Sequence, residues 1–206
     1  MKKNFVVTGL IFSVLVLVLF VCGCTQQGNE QYQNNTGANT TFVAIKNPER
    51  MFHRTLSVVK PTEWREVEYG GALIYLPEGS EIVDPLSEKI TFAVGFLPKN
   101  DDVPLSTMMD DDIRETRKIM PDIQEVTEKT PAKIGPLDGL TAKYTATIQQ
   151  QIFEINQIDA IYATVKYKND IIYKVGHACR KNDCRYSDVF SEMVKSFEPR
   201  EPEETV

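Results

Sequence analysis

Every second residue from Leu140 to Ile148 is apolar, and the residues between them (Thr141, Lys143, Thr145, Thr147) are polar. A helix would scatter that pattern around its circumference, whereas a strand sends successive side chains to opposite faces. The segment is therefore a strand with one face on a core. The same two-residue period recurs at Ile90, Phe92, Val94 and Phe96, at Ile161, Ala163, Val165 and Tyr167, and at Ile171, Tyr173 and Val175. Asn169-Asp170 separates the last two runs and suits the positive φ angles of a tight hairpin. Ala72–Leu76 is a fifth apolar run, ended by Pro77, and Ile123–Lys133 is a weaker sixth between Pro121 and Pro136.

Two segments have helical spacing instead. Met109, Ile113, Thr116 and Met120 share a stripe that Pro121 ends, and Thr107 with Asp110 has the spacing of a capping box. Val189, Phe190, Met193, Val194 and Phe197 form a second stripe over 187–197. Asn47 followed by Pro48 suggests a third helix start. Hairpin-linked strands pair antiparallel, and one-sided helices must lie on the sheet faces. The expected fold is α+β, an antiparallel β-sheet of about six strands flanked by helices.

The first residues set the location. Lys2 and Lys3 precede an apolar run from Phe5 to Val21, the layout of an export signal near the lower length limit of a membrane span. Val21-Cys22-Gly23-Cys24 resembles the lipobox of prokaryotic lipoproteins, with Gly23 before the cut and Cys24 as the acylated residue. An uncleaved membrane helix is the alternative. The two lysines favour a cytoplasmic N-terminus in either case, which places the remainder outside the cytoplasm at the cell membrane. The reading divides the chain into a signal at 1–23, a flexible tether at 24–47, one domain at 48–198 and a disordered tail at 199–206. The tether is rich in Gln, Asn, Thr and Gly, and as a coil spans about 25–30 Å. Asn34 and Asn39 begin N-x-T triplets, so both are candidate N-glycosylation sites. Loss of Lys2 and Lys3 with the signal moves the formal charge from −6 to −8. That acidity argues against nucleic acid as a partner, and leaves anchoring to the terminus.

Trp64 to Pro77 (WREVEYGGALIYLP) resembles the opening of PsbP-like domains. A helix in 105–120, a strand toward Gly135-Pro136-Leu137-Asp138-Gly139, three antiparallel strands and a closing helix follow in the order of that family. Relatives of this kind include extrinsic photosystem subunits, Ran-binding Mog proteins and prokaryotic lipoproteins. The resemblance implies an α/β/α sandwich used for docking to other proteins. No diagnostic binding residue of the photosystem group is present, and no photosystem role carries over.

Chemistry has few residues to draw on. Cys179 and Cys184 remain once Cys22 leaves with the signal and Cys24 is lipidated, an even pair bracketing a polar loop. A disulfide between them would contribute about 2 kcal/mol at most through chain entropy, and would mainly hold the loop. Free thiols are a second reading, and His177 joining both sulfurs as a zinc ligand is a third. Asp110-Asp111-Asp112 cannot converge on one ion from a helix, and reads as acids favoured near the positive end of the helix dipole. G-x-S-x-G, H-E-x-x-H and phosphate-loop motifs are absent, so no catalytic residue and no cofactor is assigned. Ile152, Phe153 and Ile155 sit in a segment expected to project at a strand junction, or else to pack under the sheet edge. The expected function is non-catalytic binding or scaffolding of an envelope protein partner. A small-molecule or metal-binding envelope module is the alternative, with an enzyme third.

Overall fold

The computed structural model describes residues 42–44, 55–69, 72–82, 84–99 and 101–202. The leader, Cys24, Asn34, Asn39 and the helix start at Asn47 lie outside the described residues. Three short strands come first: β1 (Phe42–Ala44), β2 (Leu56–Ser57) and β3 (Val59–Pro61), with β1 antiparallel to β3. The main sheet follows as β4 (Arg65–Tyr69), β5 (Ala72–Leu76) and β6 (Lys89–Pro98), then helix α1 (Leu105–Thr116). Next are β7 (Gln124–Glu125), β8 (Thr130–Ile134), β9 (Leu137–Ile148), β10 (Gln151–Tyr162) and β11 (Asn169–Arg180). Helix α2 (Ser187–Lys195) and β12 (Glu198–Pro199) close the described chain.

The sheet has eight strands rather than about six, in the order β4-β5-β6-β11-β10-β9-β7, with β8 also on β9. All of its pairings are antiparallel. The class is α+β. Two additions raise the count. Strand β4 (REVEY) has only Val67 and Tyr69 alternating with glutamates and sits at an edge, and the segment 123–133 pairs as two short pieces along β9.

The boundaries of β10 and its turns also differ from the pattern. Strand β10 ends at Tyr162, and residues 163–168 form the loop to β11 instead of continuing the strand. Thr164 closes this loop: its hydroxyl donates to Asn169 O (2.8 Å) and its N–H donates to Asp170 Oδ1 (3.1 Å). Asp170 therefore braces the loop from within β11 rather than turning the chain. The tight positive-φ turn falls at Gln149 (φ 48°) and Gln150 (φ 65°), between β9 and β10. Glutamine does not favour that conformation, so the long ladders on either side impose it. The turn does not project Phe153 and Ile155: Phe153 is 1% exposed, Ile155 is buried, and Ile152 alone is turned outward.

Both faces of the sheet are covered. On one face Leu73, Tyr75, Phe92, Ile158, Tyr173 and Val175 pack against Phe190, Met193, Val194 and Phe197 from α2 and its end. Phe197 lies between Tyr173 (ring centroids 4.8 Å) and Phe92 (6.1 Å). Burying a side chain of that size contributes roughly 1.5–3 kcal/mol. On the opposite face Met109 and Ile113 of α1 meet Ala142, Tyr144, Ala146, Phe153, Ile155 and Ala178. The helix begins at Leu105 and ends at Thr116, short of Met120, and its N-cap is Pro104, three residues before Thr107, with no side-chain cap bond. Thr107 therefore lies inside the first turn rather than at the cap, and the Thr107–Asp110 capping box is not formed.

The C-terminal segment is tied down further than expected. Strand β12 pairs with β2, Arg200 N–H donates to Thr55 O (2.7 Å), and the Glu201 carboxylate accepts from Lys166 N–H (3.2 Å). Residues 203–206 lie outside the described residues.

Gly139 on β9 lies against the backbone of β10. A Cβ there would strike the Asp159 carbonyl and come within 3.0 Å of Ala160 Cβ. Gly139→Ala should lower unfolding free energy by about 1–3 kcal/mol in a urea titration. An unchanged midpoint would contradict that close approach.

Candidate functional site

Strand β11 places His177 and Cys179 on one face at the end of the sheet, in the register that sets His177 opposite Ile90. That register brings Glu88, just before β6, against the His177 ring. After Arg180 the chain reverses through Asn182 (φ 68°), with Asp183 N–H donating to Arg180 O (2.9 Å). Cys184 then returns to Cys179, and the two sulfurs are joined with Cα atoms 5.1 Å apart. Glu88 holds the start of α2. Its Oε1 accepts from His177 Nε2 (2.7 Å) and Tyr186 N–H (2.9 Å), and its Oε2 accepts from Arg185 N–H (3.1 Å). A carboxylate on the amides of the N-cap and of the residue before it ties the entry to the helix and places negative charge at the positive end of its dipole. The His177 ring stacks on Phe190 (5.2 Å), and Tyr186 meets Trp64 edge-on (4.9 Å).

A cleft of about 300 Å³ opens beside this junction, between the β5–β6 connection and the 180–186 loop. Glu78, Ser80, Glu88, Arg180, Asp183 and Arg185 line it. Its charged walls are partly committed. Arg185 donates from Nε to Asp183 Oδ1 (2.8 Å), and this pairing holds the Asp183 carboxyl below its usual range. Lys89 secures the preceding loop by donating to the Ile82 (3.2 Å) and Asp84 (2.9 Å) carbonyls. Among the described residues, donor atoms of Glu88, His177 and Cys179 lie within 4.8 Å of one another, close enough for one metal ion. The sequence pointed to His177 and both cysteines, and nothing in it marked Glu88.

The three aspartates of α1 diverge, as a helix requires, but they occupy its middle and not its first turn. Asp110 pairs with Lys129 (2.7 Å) and Asp111 with Arg114 (2.6 Å). Asp112 points inward and pairs with Lys174 of β11. Lys174 lies directly across the ladder from Asp159 of β10, whose Oδ2 is 4.0 Å from its ammonium. Gln157 Nε2 donates to Asp159 Oδ1 (2.9 Å). Asp159 is 0% exposed and Lys174 3%, beneath α1. Sequence reading missed this cluster, although a signal exists. On the core-facing period Phe153, Ile155, Gln157, Asp159, Ile161, two polar residues interrupt an apolar series.

Burial pushes the Asp159 carboxyl up to about 7, against the hydrogen bond from Gln157. Burial also drives the Lys174 ammonium down to about 7, against the pull of the Asp112 carboxylate it touches. One proton on Asp159 leaves the two carboxyls and one ammonium neutral together. Such a cluster organises the interior and is closed to any substrate.

The pH dependence of stability follows from these shifts. An unfolded aspartate titrates near 3.9, so between about pH 4 and 7 the folded chain holds a proton that the unfolded chain releases. The Asp159 contribution is complete below that window and is lost as pH rises through it. Lys174 is charged in both states below about 7, and adds no slope there. Unfolding free energy should therefore fall by roughly 2–4 kcal/mol from pH 4.5 to 7, and Asp159→Asn should remove that decline. The same slope in the variant would contradict this origin.

No family model and no curated protein matches the sequence. Among solved structures, the chain resembles LpqN, involved in cell envelope biogenesis of Mycobacterium tuberculosis. The TM-score is 0.53 at 9% identity, covering 71% of this chain and 83% of that one. A structure from Bacteroides thetaiotaomicron aligns with TM-score 0.51 at 11% identity, covering 77% of this chain and 48% of that one. The Ran-binding protein Mog1p of Saccharomyces cerevisiae superposes at 0.46 and 11% identity, over 78% and 96% of the two chains. At these identities the likeness concerns the fold.

Proposed function

We propose that this chain is a lipid-anchored extracytoplasmic protein whose PsbP-like α/β/α domain binds or scaffolds another envelope protein without catalysing a reaction. The observation that carries the non-catalytic reading is where the reactive side chains are. Asp112, Asp159 and Lys174 are sealed under α1, and the Glu88 carboxylate is spent on backbone amides and His177. A general acid or base must be within reach of a substrate proton, and the three groups under α1 are not. The envelope setting rests on the leader and on Cys24, with support from the fold shared with LpqN, an envelope-biogenesis protein.

A surface suited to a protein partner lies at the end of the sheet opposite the disulfide. Val165 in the β10–β11 loop is 83% exposed, and Tyr167 of the same loop meets the exposed Phe96 ring of β6 (centroids 5.7 Å). Exposed apolar groups gathered at a loop tip are suited to burial in an interface.

Two measurements test this reading. Fatty-acid labelling and membrane fractionation should find the parent chain acylated and membrane-bound, and Cys24→Ser unlabelled. Full-length parent chain found unmodified in the cytosol would end the anchoring reading. Cross-linking in detergent-solubilised membranes should recover a partner whose yield falls at least tenfold with Val165→Ser and Phe96→Ser together, with folding unchanged. Equal yield from parent and variant would remove this surface from the proposal.

A further inference from the structure

Three donor types come together where β6 begins, β11 ends and α2 starts: a carboxylate, an imidazole and the sulfurs of a disulfide. Ligand atoms of Glu88, His177 and Cys179 are mutually within 4.8 Å, and Cys184 is joined to Cys179. Four ligands around a tetrahedral zinc ion stand about 3.3–3.8 Å apart, given bond lengths of about 2.0–2.3 Å. Bringing the donors to that spacing needs the sulfurs to part, Cys184 to swing in from outside the group of three, and Glu88 and His177 to move apart from 2.7 Å. His177 Nε2 and Glu88 Oε1 already face each other at 2.7 Å across a shared proton. We infer that reduction of the Cys179–Cys184 bridge converts this junction into a four-donor site for a zinc-class cation, held by Glu88, His177, Cys179 and Cys184. The inference is independent of the anchoring and partner-binding reading.

The chemistry balances with one outside reactant, a dithiol. It supplies two electrons and two protons, the Cys179–Cys184 sulfur–sulfur bond breaks, and the dithiol becomes a disulfide. The cation then displaces one proton from each thiol. The His177 proton moves from Nε2 to Nδ1, freeing the Nε2 lone pair for the metal. Two thiolates, one carboxylate and a divalent cation leave the site with one net negative charge. Two thiolates and an imidazole favour zinc or cobalt over calcium or magnesium, which take hard oxygen donors.

Two features mark the place as prepared. Both side chains that would complete the thiol pair are held by neighbours, His177 buried and Glu88 partly so. The His177 ring is fixed by its stack on Phe190, and Glu88 Oε2 keeps its bond to Arg185 N–H while Oε1 turns to the ion. Such outer contacts orient metal ligands before the ion arrives. The disulfide and the ion also do the same mechanical task, tying the end of β11 to the start of α2. Oxidation would therefore expel the ion without releasing the loop.

The test uses the full-length chain in detergent, with Cys22 and Cys24 replaced by serine so that the only thiols are Cys179 and Cys184. After reduction by dithiothreitol and anaerobic desalting, the chain is titrated with Co²⁺ alone. One Co²⁺ per chain is expected, with thiolate-to-cobalt charge transfer in the near ultraviolet and the visible bands of tetrahedral cobalt, both erased by one Zn²⁺. The oxidised chain should give neither band. Cys184→Ser should remove most of the charge transfer, and His177→Asn and Glu88→Gln should each weaken binding about tenfold or more. Near-ultraviolet circular dichroism of Trp64, which packs on Tyr186, reports whether each variant keeps the loop. If Glu88→Gln loses the loop, His177→Asn and Cys184→Ser decide. Absence of the cobalt bands in the reduced chain overturns the inference, as does binding by His177→Asn equal to the parent.

Discussion

Strands β9, β10 and β11 are each twelve residues long, and everything else in the domain depends on burying one face of β9 and both faces of β10 and β11. A sheet covered on one side only can rest with a polar face in water. Here β10 and β11 are buried on both sides, so a helix or loop must cover each face. Helix α2 closes one side with Phe190, Met193 and Val194, and α1 closes the other with Met109 and Ile113. The aromatic contact of Phe197 with Phe92 and Tyr173 then draws the chain after α2 down onto the sheet. The short pairing of β12 with β2 follows from that position.

Covering both faces creates the polar cluster under α1. Lys174 and Asp159 occupy neighbouring core-facing positions, where the period of the strand allows no outlet to water. Asp112 reaches them from the helix that seals them. An isolated charge there would be costly, so each member is tolerable only because the others are present. A buried ionic group is compatible with one register and one placement of α1, which ties the helix to the ladder more specifically than apolar contact does.

At the far end of the same strands, the β11–α2 connection turns within a few residues from sheet to helix. The Cys179–Cys184 link, the Glu88 bonds to Arg185 and Tyr186, and the His177–Phe190 stack all serve that turn. Structural constraint and chemical potential coincide there. The residues that hold the junction are also those whose atoms can bind a soft cation or carry electrons.

The sequence by itself determined the antiparallel α+β architecture and most core positions. Alternation at Ile90–Phe96, Leu140–Ile148 and Ile171–Val175 is a local property of a strand with one apolar face. The stripe over 187–197 is equally local. The proximity of Cys179 to Cys184 was also legible, because five residues of chain keep them close. Tertiary structure alone decided the rest. Ala163, Val165 and Tyr167 continue an alternating pattern into a loop, and only the pairing of β10 with β9 and β11 limits that strand to Gln151–Tyr162. Gln149-Gln150 turns the chain against its own preference because two ladders demand it. Asp112, Asp159 and Lys174 are distant in the chain, as are Glu88 and His177. No spacing rule can bring such pairs together, because register between strands, and not sequence separation, sets which side chains meet.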